Sequence, residues 1–141
     1  MYRYPVKLTP EDNATLTVTF PDVPEAITFG ETRAEALERA AEALEAALSI
    51  YIDLRKDIPK PRTSRSGPRV GLTASSAAKV ALYQEMRNRN ITKAALGRLL
   101  KLHPAQVERL LDLNHSTRFE ALEAALHALG KQVMVTLKPA A

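Results

Sequence analysis

The sequence predicts an α+β protein in two parts: a small sheet with one long helix over residues 1–72, and a helical domain ending in a strand over residues 73–141. Three observations predict it. Apolar residues alternate with period two through the opening segment, a single apolar stripe at helical spacing follows Thr32, and two short amphipathic runs lie almost end to end between Thr92 and Leu113.

Val6 and Leu8 flank Lys7, and Leu16, Val18 and Phe20 alternate with Thr15, Thr17 and Thr19, the pattern of a sheet with one buried face. The intervening Thr9-Pro10-Glu11-Asp12-Asn13 is turn chemistry and predicts an antiparallel hairpin. Pro21 to Pro24 breaks the second run, and Ala26 to Gly30 gives a third strand. Thr32 followed three residues later by Glu35 is a capping-box pattern. Leu37, Ala40, Ala41, Leu44, Ala47, Leu48 and Tyr51 then form the apolar face of a helix that covers the sheet and ends before Pro59. Residues 59–69 are rich in proline and arginine and hold no apolar anchor, so they predict an extended, mobile linker. Val70-Gly71-Leu72 fits a returning strand, although it is too short to assign from pattern alone.

Thr73 or Ser75 caps the next helix, which runs through Arg89 with Val80, Tyr83 and Met86 inward. The runs Thr92–Leu100 and Pro104–Leu113 are joined too tightly to lie side by side, so they are expected to cross as in a helix-turn-helix, with Gly97 where the backbones approach. Pro104 suits a first helical position and makes His103 the cap. If the second helix enters a major groove, Ala105, Gln106 and Arg109 face the base edges, glutamine matching adenine and arginine matching guanine. Thr92, Lys93, Arg98, Lys101, His103 and Arg118 flank that helix and are candidate phosphate contacts; a plain helical hairpin is the competing reading. Thr117 with Glu120 opens a last helix carrying Phe119, Leu122, Leu126 and Leu129, and Gly130 stops it. Val133, Val135 and Leu137 share one face of a final strand, whose unpaired backbone is expected to pair with a symmetry mate and give a homodimer or higher oligomer; a frayed tail or pairing within the chain is the alternative.

Charge divides at the linker. Residues 1–57 hold six Lys/Arg and eleven Asp/Glu, a net of −5, whereas residues 58–141 hold fourteen and five, a net of +9. The halves are therefore expected to prefer partners of opposite sign, a nucleic-acid backbone for the second and a basic protein or plain solvent for the first. The absence of cysteine excludes disulfides and thiolate metal sites. No apolar run approaches the ~20 residues of a membrane span and no signal peptide is evident, so a cytoplasmic protein is expected. No cofactor, metal or catalytic group is expected either: His103, His115 and His127 lie twelve residues apart, Asp12, Asp22, Glu25 and Glu31 fall in or beside turns, and Ser75 and Ser76 have no adjacent base.

Ile91-Thr92, Leu96-Gly97, Leu100-Lys101-Leu102-His103, Val107 and Leu110 resemble, position for position, the repressor-type helix-turn-helix of phage-repressor-like proteins. The departure is Lys101, where that family carries glycine at a left-handed turn residue. The first half resembles the N-terminal domain of the HicB antitoxins: Tyr4-Pro5-Val6, then Leu16 to Phe20 followed by Pro21-Asp22-Val23-Pro24, then Thr28-Phe29-Gly30-Glu31-Thr32 with Glu35-Ala36 and Ala40 to Leu44. Val70, Leu72 and Lys79 to Tyr83 extend the likeness to HicB chains that carry a helix-turn-helix.

The resemblance implies an incomplete ribonuclease H-like β-β-β-α-β domain that clamps a small basic HicA-type toxin, an mRNA-cleaving protein, and a C-terminal domain that binds operator DNA. It makes Phe20, Pro21, Asp22, Pro24, Glu31 and Glu35 the toxin-contact candidates, with turn and capping chemistry as the competing role for the same residues. The rival from another class is a stand-alone transcription regulator whose N-terminal domain senses a small ligand.

Overall fold

The computed structural model describes residues 2–63 and 66–139. Its opening strand is bent. Tyr4 and Val6 are both buried, and the chain divides around Val6 into β1 (Arg3–Pro5) and β2 (Lys7–Pro10). β1 pairs antiparallel with β5 (Arg69–Gly71), placing Tyr4 opposite Val70, and the Val6 N–H donates to the Pro68 carbonyl at 3.1 Å. β2 pairs with β3 (Leu16–Thr19), and β3 with β4 (Ile27–Gly30), all antiparallel. One bent strand thus serves a two-stranded and a three-stranded sheet. The expected hairpin turn closes through Glu11 N–H to Thr15 O at 2.9 Å, with Ala14 left-handed at φ 64°. The returning strand anticipated at Val70 is β5.

α1 (Arg33–Asp53) starts where its cap predicts. Thr32 Oγ1 accepts the Glu35 N–H at 3.1 Å, while the Glu35 carboxylate turns to Arg39 at 3.2 Å. Ala36, Ala40, Leu44, Ala47, Leu48 and Ile52 are buried at helical spacing, and α1 packs on β3 and β4. Burying each large side chain of this stripe contributes roughly 1.5–3 kcal/mol.

Of the segment read as a mobile linker, residues 59–63 and 66–69 are instead tied down, and 64–65 lie outside the described residues. Ile58, just before it, is only 6% exposed, and its N–H donates to Gln84 Oε1 at 2.9 Å. The Tyr83 hydroxyl donates to Lys56 O at 2.7 Å and the Tyr4 hydroxyl to Pro59 O at 2.8 Å. Arg62 grips Asp22 through its backbone N–H and its Nε, and Arg69 donates to Arg62 O at 2.7 Å. Hydropathy carries no trace of such anchoring, because the segment is held through backbone carbonyls and amides and through the Arg62 and Arg69 guanidinium groups. Burial alone would push the Asp22 carboxyl up, but the Arg62 hydrogen bonds and charge outweigh it and hold the group below its ordinary value. The contact is therefore fully present above about pH 4 and is lost as the pH falls through the lowered value.

α2 (Ala74–Asn88) is capped by Thr73, whose Oγ1 accepts the Ser76 N–H at 3.2 Å, and Val80, Tyr83 and Met86 point inward as read. Arg87 on its last turn pairs with Asp57 at 2.7 Å. α3 (Lys93–Leu100), α4 (Pro104–Leu111) and α5 (Phe119–Ala128) complete the chain, and buried side chains form one cluster running from Tyr4 to Leu129. No described helix is long and apolar enough to cross a membrane.

Two expectations change in this region. Thr117 does not cap α5; the N-cap is Arg118, without a side-chain bond, because the Thr117 hydroxyl donates to Arg109 O at 3.2 Å. Gly130, at φ 78°, does end that helix. The expected terminal strand is not formed within the chain: residues 131–139 join no ladder, and Val135 and Leu137 are 77% and 91% exposed, with Val133 only partly covered. A strand requires a partner for its backbone groups, and the folded chain offers none among the described residues.

Candidate nucleic-acid interface

α3 and α4 form a compact pair whose geometry follows from a few local residues. Thr92 caps α3 by accepting the Ala95 N–H at 3.0 Å. Leu96 and Gly97 are buried, and a Cβ on Gly97 would lie 3.2 Å from Leu102 O and 3.3 Å from Val107 Cγ2, so this is the close approach that the glycine signals. The chain reverses at Lys101, left-handed at φ 58° and ψ 47°, and the Leu102 N–H returns to Gly97 O at 2.9 Å. A side chain in that conformation costs about 1 kcal/mol, which the turn bears without glycine. Pro104 opens α4, and the His103 N–H is taken by Gln106 Oε1 at 2.8 Å.

Val107, Leu110 and Leu111 bury one face of α4, leaving Ala105, Gln106, Glu108 and Arg109 exposed. The opposite end of α4 is fixed by a residue that pattern reading passed over. Lys79 is 1% exposed, and its ammonium donates to the carbonyls of Arg109 (2.9 Å), Asp112 (2.6 Å) and His115 (2.7 Å). The last carbonyls of a helix lack partners and form the negative end of its dipole, so a cation there satisfies both. Burial pushes the Lys79 ammonium down from the ordinary lysine value, and the charges of Asp112 and Glu45 pull it back. Its signal was present in the sequence, since Lys79 shares the inward stripe of Tyr83 and Met86.

The candidate DNA contacts fall into two groups. The guanidinium groups of Arg98, Arg109 and Arg118 and the Lys101 ammonium are exposed and have no partner among the described residues. The others are engaged. Lys93 pairs with Glu108 at 2.8 Å, Thr92 serves as a cap, and the Gln106 oxygen accepts the His103 N–H, which orients its amide and leaves the two N–H bonds and one oxygen lone pair for a ligand. A bidentate match to adenine needs both ends of the glutamine amide. His103 and Ala105 are exposed.

The toxin-contact candidates do not converge. Phe20 is 1% exposed and belongs to the core, which removes it as a contact surface; Asp22 is held by Arg62 and Glu35 by Arg39. Pro21, Pro24 and Glu31 remain exposed. Reading the third strand as Ala26–Gly30 left its outward face unresolved, and that face is where the large exposed apolar residues Ile27 and Phe29 stand.

Known proteins are similar to this chain over most of its sequence. A family model described as a HicB-like antitoxin of bacterial toxin-antitoxin systems matches residues 3–81. A protein named Antitoxin HicB 2 from Photorhabdus laumondii subsp. laumondii is 43% identical over 131 residues, covering 93% of each chain. Antitoxin HicB of Escherichia coli strain K12 is 37% identical over 136 residues, 96% of this chain and 99% of its own. Antitoxin HicB of Pseudomonas fluorescens is 34% identical over 142 residues, covering 99% and 97% respectively.

Proposed function

The chain belongs to the HicB-like antitoxin family of bacterial toxin-antitoxin systems, and from that premise we propose that it binds and neutralises a small, basic, mRNA-cleaving HicA-type toxin and represses its own operon by binding operator DNA. The observation that carries the DNA half is α4, exposed along one face and fixed at both ends, by the Gln106–His103 contact at its start and by Lys79 at its finish. In this reading α3 and α4 are a helix-turn-helix, α4 lies in the major groove, and the sheet and α1 act as a partial ribonuclease H-like domain. Residues 133–137 pair with those of a second copy, bringing two α4 helices to successive grooves. Asp22 and Glu25, bound to Arg62 and Tyr51, support a role without catalysis.

Purification of the tagged protein from its native host at moderate salt, with mass spectrometry and light scattering on the eluate, tests the proposal. A basic protein of roughly half the chain's length is expected at fixed ratio, with at least two copies of this chain per particle. Elution alone or with a small molecule, with DNA binding kept, would instead favour the ligand-sensing regulator.

On DNA, Arg109→Ala is expected to lose about 1–3 kcal/mol on operator and little on random sequence, whereas Lys101→Ala weakens both and flattens the salt dependence. Filter binding or anisotropy at two salt concentrations separates these. Equal losses on both DNAs for Arg109→Ala would remove it as a base reader.

A further inference from the structure

We propose that the toxin docks on the outer face of the three-stranded sheet, centred on Ile27 and Phe29 of β4. The inference rests on the antitoxin reading above. Strand register defines the face: Lys7, Thr19 and Ile27 form one cross-strand row, and Thr9, Thr17 and Phe29 form the next. Val18 and Thr28 lie opposite one another on the other side, where α1 packs. The outer face therefore lacks a covering element among the described residues, and its two large apolar side chains are 61% and 54% exposed. The two stand side by side on one face of the same strand, so they form a contiguous apolar pair.

The rim selects the partner. Glu31 follows β4, and Glu11 and Asp12 sit in the β2–β3 turn, at the end of the sheet where Pro10, Leu16 and Gly30 are in register, whereas the Glu25 carboxylate turns to Tyr51 of α1. Lys7 is the one cation in the two rows, and the Arg39 guanidinium beside Phe29 is paired with Glu35. An apolar centre with an acidic rim fits a small basic protein. A second copy of this chain would set acid against acid, and a nucleic acid would be repelled.

The partner meets the face and not the edge. β4 is the last strand of its sheet, but Arg39 reaches round its free side. The guanidinium carbon lies 5.7 Å from the centre of the Phe29 ring, and Nη1 donates to Phe29 O at 3.3 Å while Nη2 holds Glu35. A charged side chain across a strand edge blocks the addition of another strand, and here it covers part of the Phe29 ring while more than half of Ile27 and Phe29 stays exposed.

The test uses the full-length chain and the basic protein that co-purifies with it, separated and re-added in calorimetry. Ile27→Asp and Phe29→Asp are each expected to raise the dissociation constant at least about tenfold, with an unchanged circular dichroism spectrum. Ile50→Asp, an equally exposed apolar position on α1, is expected to leave it unchanged. Affinity of the wild type is expected to fall with added salt. If the wild type carries no basic partner, the antitoxin reading itself fails. If it does and both β4 variants bind as tightly as the wild type, that reading stands and this face is wrong. Loss of self-association without loss of toxin affinity would assign the face to a second copy and equally overturn the proposal.

Discussion

Lys79→Met is expected to lower stability by about 3 kcal/mol, read as a drop in the urea midpoint without a change of slope. The substitution keeps the aliphatic stem and removes the ammonium, so the carbonyls of Asp112 and His115 lose their Lys79 donor and that of Arg109 keeps only the Thr117 hydroxyl. For a chain of this length such a loss corresponds to roughly 10 °C in melting temperature. Lys79→Arg restores the charge without rescuing the site, because a planar guanidinium does not converge three donors on three carbonyls as an ammonium does. Operator affinity at a temperature where the variant is fully folded is expected to fall more than affinity for random DNA, since Arg109 projects from the very turn that Lys79 holds. A stability change under about 1 kcal/mol would mean that water reaches those carbonyls and that α4 keeps its seat without the lysine.

The contrast between what pattern reading found and what it missed is chemical. Alternation and capping located the sheet, α1 and the α3–α4 pair because they are local signals: Thr32 caps α1 where its pattern predicts, and Thr73, one of the two candidates, caps α2. Lys101 was read as a strained turn residue, and it is one. Long-range polar contacts have no period. The grip of Arg62 on Asp22 spans 40 residues, and the Tyr4 hydroxyl reaches Pro59 across 55. A proline- and arginine-rich stretch therefore reads as free when its backbone is bound. The terminal valines illustrate the opposite case. Their alternation is real, but a strand exists only with a partner, and one folded chain supplies none among the described residues. At the candidate site, exposure of Arg109 and Gln106 was legible from helical spacing, whereas the use of Gln106 Oε1 on the His103 N–H was not.

Gly30→Ala is the second large effect expected, and it comes from space, not from backbone conformation. A Cβ at Gly30 would lie 2.5 Å from Ala36 N, 2.7 Å from Ala36 Cα and 3.0 Å from the Glu35 carbonyl carbon. All three are backbone atoms of the first turns of α1, and no rotamer change relieves them. Either β4 or α1 must move, opening the packing under Ala36 and Ala40, which are both fully buried. Overpacking of this kind costs about 1–3 kcal/mol, and immovable backbone places the expected loss near the upper end; the entropy gained by removing a glycine, about 0.4–1 kcal/mol, offsets only part. Gly71 provides the control. Its nearest obstacle is Arg3 Cγ at 2.9 Å, part of a flexible side chain on an exposed residue, so Gly71→Ala is expected to change stability by less than about 1 kcal/mol. Thermal unfolding of the two variants side by side separates contact with backbone from contact with a mobile side chain. Because Phe29 immediately precedes Gly30, a shift of β4 in Gly30→Ala should also weaken toxin binding at temperatures where the variant remains folded. Equal stability of the two variants would show that α1 yields to a methyl group, and the register that presents Ile27 and Phe29 would then be less rigid than the packing of Gly30 on α1 implies.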